Sequence, residues 1–299
     1  MENFFCKTQP KGVIRVIGED AEDYLQSQWS INIRKIKTGG IRYGLRLSTK
    51  GKVLADSHIL RLGDEEFILI SKGCDAEKII ELMEENIVAD EVEFSNETEK
   101  WSLYMFWNKN SEAYLKFPGI EIPAENSFFS HEKGMFFQNP RLGPGTNAFL
   151  CHRNSEIEWT KELEEISEDQ MDIRRIGYGL ISIPLDIGPE EFPQEGGLEK
   201  DAVDFDKGCY LGQEVMARIH AMGRVRRSIN PVTWTGKEVP TLPCNLICED
   251  KKVGQLKSLF PNGEGMHIGM ALVHEKGTAS LEKDGLFIEG INDGKITSL

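Results

Sequence analysis

Asp206-Lys207-Gly208-Cys209-Tyr210-Leu211-Gly212-Gln213-Glu214 is the stretch that decides how the rest of this chain is read. Gly208 and Gly212 bracket a cysteine and permit tight turning or close backbone approach. Val215 and Ile219 follow four apart, on one face of a helix, so Cys209 is placed in a short loop just ahead of a helix N-terminus. A thiol there, with Lys207 two residues away, has its thiolate favoured by positive charge and by the helix dipole. Spacing alone leaves a second reading open, a buried and inert cysteine, because reactivity depends on exposure.

Outward from this stretch, residues 207–227 carry Lys207, Arg218, Arg224, Arg226 and Arg227 against the single acid Glu214. The whole chain has 35 Lys and Arg against 49 Asp and Glu, a net charge of −14. Such local contrast suits either a solvated basic face or a pocket that attracts a small polyanion through arginine–carboxylate or arginine–phosphate pairing. The acidic balance disfavours nucleic acid as a partner.

Upstream, strand and helix patterns alternate. Gly12 to Ile17 is rich in Val and Ile and leads to Asp20, placed to cap a helix from Ala21 to Trp29 with Glu22 and Asp23 in its first turn. Val53 to Leu62 and Phe67 to Ile70 are apolar runs separated by Gly63-Asp64-Glu65-Glu66, which predicts a hairpin. Asp75 is placed to cap a helix whose Ala76, Ile79, Ile80 and Met83 share one face. Strands are predicted from Trp101 to Trp107 and from Ala113 to Phe117, and the loop Asn139-Pro140-Arg141-Leu142-Gly143-Pro144-Gly145 is expected to separate subdomains. Ser167 and Gln170 have capping-box spacing ahead of a helix through Ile173 and Ile176 that Gly177 or Gly179 stops. After Arg227, short apolar pieces broken by Gly, Pro, Asn and Asp predict a small β-barrel. The expected class is α+β, with a main unit of two interleaved subdomains over residues 1–229 and a barrel over 230–299.

The 299 residues exceed one average domain, and the longest apolar runs fall far short of the roughly 20 residues that cross a bilayer. Met1-Glu2-Asn3-Phe4-Phe5-Cys6 lacks a basic segment leading into an apolar stretch with a cleavage site, so a cytoplasmic location away from membranes is expected. Cysteines 6, 74, 151, 209, 244 and 248 are scattered without a CxxC pair or zinc-like spacing, and read as reduced thiols with no metal site. There is no P-loop, HExxH or GxSxG motif, and Asp204-Phe205-Asp206 fails as a calcium loop because Gly208 falls a position early.

Lys207-Gly208-Cys209-Tyr210-Leu211-Gly212-Gln213-Glu214 resembles the K-G-C-Y-x-G-Q-E signature of the YgfZ-type folate-binding proteins, relatives of the glycine-cleavage aminomethyltransferases. Phe192-Pro193-Gln194-Glu195 and Leu198-Glu199 resemble the segment before that signature, and Gly223-Arg224-Val225-Arg226-Arg227 the segment after it. Gly18 to Ile33 is similar to the family's opening helix, and Ser48-Thr49-Lys50-Gly51-Lys52-Val53-Leu54-Ala55-Asp56 to its K-G-R-V-L-A region. The resemblance spans most of residues 12–228, with a fainter match of Val253 to Val273 to the superfamily's C-terminal barrel.

The resemblance implies a multi-part ring around a tetrahydrofolate pocket and a role in iron–sulfur cluster assembly or repair, with assembly factors or client enzymes as partners. Cys209 is then the functional thiol, Asp56 a candidate catalytic acid, and Glu195, Lys207, Tyr210, Gln213, Arg226 and Arg227 the residues that hold tetrahydrofolate or a one-carbon derivative. Glu195 falls where similar aminomethyltransferases have a pterin-contacting glutamate, and the arginines suit the carboxylates of the glutamate tail. Two departures argue for binding without independent turnover: Ala55-Asp56 stands where the transferases carry an Asp-Asp pair, and Ser71-Lys72-Gly73-Cys74 replaces their Asn-bearing turn. The alternative is a folate-dependent aminomethyl or one-carbon transferase in which Asp56 acts alone.

Overall fold

Alternation of buried and half-buried residues along Val53–Arg61, and long apolar runs such as Trp101–Asn108, give a molecule made mainly of hairpins. The computed structural model describes residues 3–109, 113–263, 265–291 and 293–299; Met1 and Glu2 of the amino-terminal segment lie outside them. The first sheet orders five strands as Ile41–Leu47, Val53–Arg61, Glu66–Ser71, Gly12–Ile17 and Glu93–Asn96. The second orders Glu164–Glu165, Asn3–Thr8, Trp101–Asn108, Asn147–His152, Gly134–Gln138 and Phe128–His131. The third orders Phe287–Ile288, Cys244–Cys248, Lys251–Pro261, His267–His274, Arg227–Trp234 and Ile296–Ser298.

Short helices connect and cover these sheets: α1 (Ala21–Gln28), α2 (Ala76–Glu84), α3 (Glu168–Gly177), α4 (Gln213–Met222) and α5 (Glu275–Lys283). Asp75 caps α2 by accepting from the Glu77 amide, and Ser167 with Gln170 forms the capping box of α3. Asp20 precedes α1 without capping it, because its carboxylate accepts the Glu91 amide at 2.8 Å instead. Among the described residues no helix is long and apolar enough to cross a membrane.

Ile14, Val16, Leu45 and Ile59 of the first sheet bury one face against α1 and α2. The opposite face, with Val13, Leu60, Ile68 and Ile70, packs on Leu103, Met105, Phe137 and Leu150 of the second sheet. The far side of the second sheet is closed by an aromatic cluster around Phe106, Phe136, Phe149 and Trp159.

Three local expectations are corrected. Residues 113–117 form no strand: Leu115 and Phe117 pack into the aromatic cluster, and the Leu115 carbonyl accepts from the Asn147 side chain at 2.9 Å rather than from a ladder. The loop 139–145 divides no subdomains, since it joins Gly134–Gln138 to Asn147–His152, which are antiparallel neighbours in one sheet. The third sheet is a half-barrel rather than a closed barrel. Its edge strands are two and three residues long and meet only at the isolated bridge Leu286–Ile296, so no ladder closes the cylinder.

Candidate functional site

The period-two alternation of Val53–Arg61 sends Val53, Ala55 and Ile59 into the core and leaves Asp56 and His58 on the other face. Tyr43 lies opposite His58 in the neighbouring strand, and its hydroxyl reaches Asp56 Oδ2 at 2.8 Å. Asp56 Oδ1 accepts from Ser71 Oγ at 2.9 Å and from Cys74 Sγ at 3.5 Å. Burial raises the Asp56 carboxyl above its ordinary value, against the pull of these donors and of Arg141. Burial pushes the Cys74 thiol up to about 12, and burial together with Arg141 holds His58 down to about 3. The acid is therefore fixed on both oxygens beside a neutral imidazole and a neutral thiol.

Asp56 and His58 face a cleft at the junction of the first two sheets and the chain between α3 and Ile183. Its outer part, about 630 Å3, is bordered by Arg42, Tyr43, His58, Glu125, Gln138 and Arg141. Tyr43, His58 and Arg141 also border a narrow inner chamber of about 50 Å3, with Asp56, Asn139 and Arg175 in its walls. Arg141 stacks on the Tyr43 ring at 4.8 Å and donates to the Ile181 carbonyl at 3.3 Å. Arg175 is held by Asp172, by Asp186 at 2.6 Å and by the Leu180 carbonyl at 2.8 Å, and Ser258 of the third sheet donates to the same Asp186 at 2.5 Å. Arg175 Nη2 and Asn139 Oδ1 are buried without a hydrogen-bond partner among the described residues.

The signature loop lies elsewhere. Gly212, at φ +82°, precedes α4, and a Cβ there would meet the Ser48 carbonyl at 2.6 Å and Gly51 Cα at 3.0 Å. The two glycine-bearing motifs thus touch backbone to backbone, a closeness only glycine allows. Cys209 is exposed. Lys207 is not the charge beside it that the sequence suggested. Its ammonium is buried and donates to the carbonyls of Gln26 at 2.6 Å, Trp29 at 2.5 Å and Ile31 at 2.8 Å, and burial lowers it to about 7. Tyr210 is buried over that ammonium at 4.9 Å, and Gln213 donates to the Lys207 carbonyl at 3.3 Å. These three residues brace the loop from below.

Glu195 is buried at the turn Pro193–Gly196, where its oxygens accept from Arg227 at 2.7 and 3.1 Å and from the Phe192 amide at 2.8 Å. Together with exposed Arg226, this pair lines a pocket of about 360 Å3 against α4. That pocket shares no lining residue with the Asp56 cleft. The predicted residues therefore fall into three places: Asp56 in the cleft, Glu195 with Arg226 and Arg227 in the α4 pocket, and Cys209 with its braces in the loop. Tyr43, His58, Asn139, Arg141 and Arg175 were missed. Arg175 carried a signal, since it sits on the face of α3 that Met171 and Ile176 bury.

Residues 6–118 match the family model of the GCVT N-terminal domain. The chain is 23% identical to the aminomethyltransferase of Thermoanaerobacter pseudethanolicus over 89% of its own length and 76% of that protein. It is also 23% identical to the iron–sulfur cluster assembly factor IBA57 homolog, mitochondrial, of Dictyostelium discoideum, over 84% of its own length and 68% of that protein. Its fold is that of the crystal structure of the glycine cleavage system aminomethyltransferase T from Bartonella henselae, with a TM-score of 0.78, 15% identity, and coverage of 100% of this chain and 85% of that one. These likenesses support a place in the glycine-cleavage T-protein superfamily.

Proposed function

We propose that this chain is a tetrahydrofolate-binding accessory protein of the YgfZ type, acting in the cytoplasm in support of iron–sulfur cluster assembly or repair. The observation that carries the reading is the cleft, where a fixed acid and an arginine stacked on tyrosine border one space. These residues fit a folate: the outer space is of ligand size, and the inner chamber offers hydrogen-bonding groups to a polar heterocycle. When bound, tetrahydrofolate supplies a carrier for one-carbon units. Asp56 holds or releases a proton at its carboxyl, Tyr43 and Ser71 orient that carboxyl, and Phe137 and Leu103 restrict water at the inner end. Exposed Arg226 is proposed to meet the carboxylates of a glutamate tail, while Glu195 fixes Arg227 beside it.

Cys209 is proposed as the thiol that meets assembly factors or client enzymes, since it is exposed on a braced loop. The likeness to an iron–sulfur assembly factor supports this role. A second reading, a folate-dependent one-carbon transferase, is favoured by the three donors that hold Asp56 in place. Calorimetric titration with tetrahydrofolate, paired with iron–sulfur enzyme assays in cells lacking the protein, separates the two. Binding with loss of those enzymes' activity is expected; turnover of an aminomethyl donor with those enzymes intact sinks the accessory role.

A further inference from the structure

Helices α2 and α3 each bury several side chains and start with a side-chain cap, whereas α4 does neither. Met216 is its one fully buried residue, and Gly212 at its start offers no side chain to cap it. Helices in folded proteins owe most of their stability to an apolar face packed on a neighbour. Here Ala217, Ala221 and Met222 are exposed instead, Met222 at 67%. Met222 also borders the pocket of about 360 Å3 whose apolar part is made by Phe192, Ile219 and Val225. The glutamate tail proposed for Arg226 brings carboxylates to that pocket but no apolar group, so its apolar part stays uncovered.

The charge on this surface is one-sided. Arg218 lies one turn before Met222 on the same face of α4, and Arg224 borders the pocket just past the helix end. Both arginines are exposed and form no ion pair among the described residues, while Arg227 is already paired with Glu195. Around them is a chain whose net charge is −14. We infer that α4 and its pocket are the docking surface for an acidic segment of another protein. An apolar side chain of that segment seats against Met222, and its carboxylates meet Arg218 and Arg224. Cys209 lies on the loop that opens α4, and a helix of ten residues is about 15 Å long, so a partner lying along it reaches the exposed thiol. The inference rests on the reading of Cys209 as the thiol that meets another protein, and adds where that protein docks and by what chemistry.

The test places the photo-cross-linker p-benzoylphenylalanine at Met222 of the full chain in cells and maps the peptides captured on irradiation. The same probe at Val88, 92% exposed and outside any helix or strand, is the control. Position 222 is expected to capture a segment of net negative charge carrying an apolar residue, about tenfold more than position 88 does. Arg218→Glu with Arg224→Glu should cut that capture about tenfold, because reversed charges repel an acidic partner, and leave calorimetric binding of tetrahydrofolate unchanged. Capture no greater than at Val88 overturns the inference, as does capture of a segment without net negative charge, of a second copy of this chain or of lipid, or capture indifferent to the charge reversal. Full complementation of iron–sulfur enzymes by Cys209→Ala overturns the thiol reading and this inference with it. Loss of complementation without capture at Met222 overturns the inference alone. Capture by the protein with its arginines intact decides even where the double variant does not fold.

Discussion

The cleft floor and the signature loop each hold a cysteine, and they do so in opposite ways. At the floor, the Cys74 thiol is buried, donates to Asp56 and is pushed up to about 12. In the loop, Cys209 is exposed, and the lysine two residues away spends its charge on three backbone carbonyls. The floor keeps its thiol and its imidazole neutral, which suits recognition of a bound molecule. The loop presents a thiol to solvent, which suits encounter with a second protein. Neighbours in sequence are therefore not neighbours in electric field, because a side chain as long as lysine's can carry its charge to the opposite side of the backbone.

The largest effect that tests this contrast is on the floor. Asp186 is fully buried and accepts from Arg175, Ser182 and Ser258. Asp186→Ala leaves buried Arg175 with Asp172 as its one carboxylate partner and removes the acceptor of Ser182 and Ser258, and is expected to cost about 3 kcal/mol in urea unfolding. A cost under about 1 kcal/mol would mean the floor is not the rigid element described.

The next effect is the pH response of His58. Its proton is bound in the folded state only near pH 3, against 6.5 for an ordinary histidine. The unfolded chain thus binds more protons between those values, so this stabilisation is complete above pH 6.5 and is lost as pH falls towards 3. The ring is half-buried, and the expected difference between wild type and His58→Gln is about 1 kcal/mol per pH unit between pH 6 and 4. Parallel stability curves for the two proteins would show that the imidazole is not held neutral by its surroundings.

The smallest effect on stability belongs to the loop. Cys209→Ala removes an exposed sulfur and is expected to change unfolding by less than about 1 kcal/mol, yet to abolish support of iron–sulfur enzymes in complementation. Peptide mapping after brief iodoacetamide treatment should find Cys209 alkylated about 100-fold faster than Cys74 or Cys6, the latter also pushed up to about 12 by burial. Equal rates with full complementation would erase the distinction between the two cysteines.

Legibility followed the range of the interactions. The alternation of Val53–Arg61 and the caps of α2 and α3 depend on residues within a few positions, and the sequence displays them. Arg141 illustrates the opposite case. Its Gly- and Pro-rich surroundings read as a boundary, whereas antiparallel pairing of the flanking strands turns the loop back and brings the guanidinium over Tyr43, some hundred residues earlier in the chain.

By itself the sequence determined the mixed α and β character, the hairpins, the capped helices and the presence of a glycine-bracketed cysteine ahead of a helix. Periodicity and capping are local, and local patterns survive in one dimension. Only the tertiary structure decided that Lys207 turns inward, that Glu195 is closed by Arg227, and that Asn139 and Arg175 share a chamber with Asp56. Those outcomes depend on which partner each charged group finds once the chain is packed: Arg227 is 32 residues from Glu195, and Gln26 is 181 residues from Lys207.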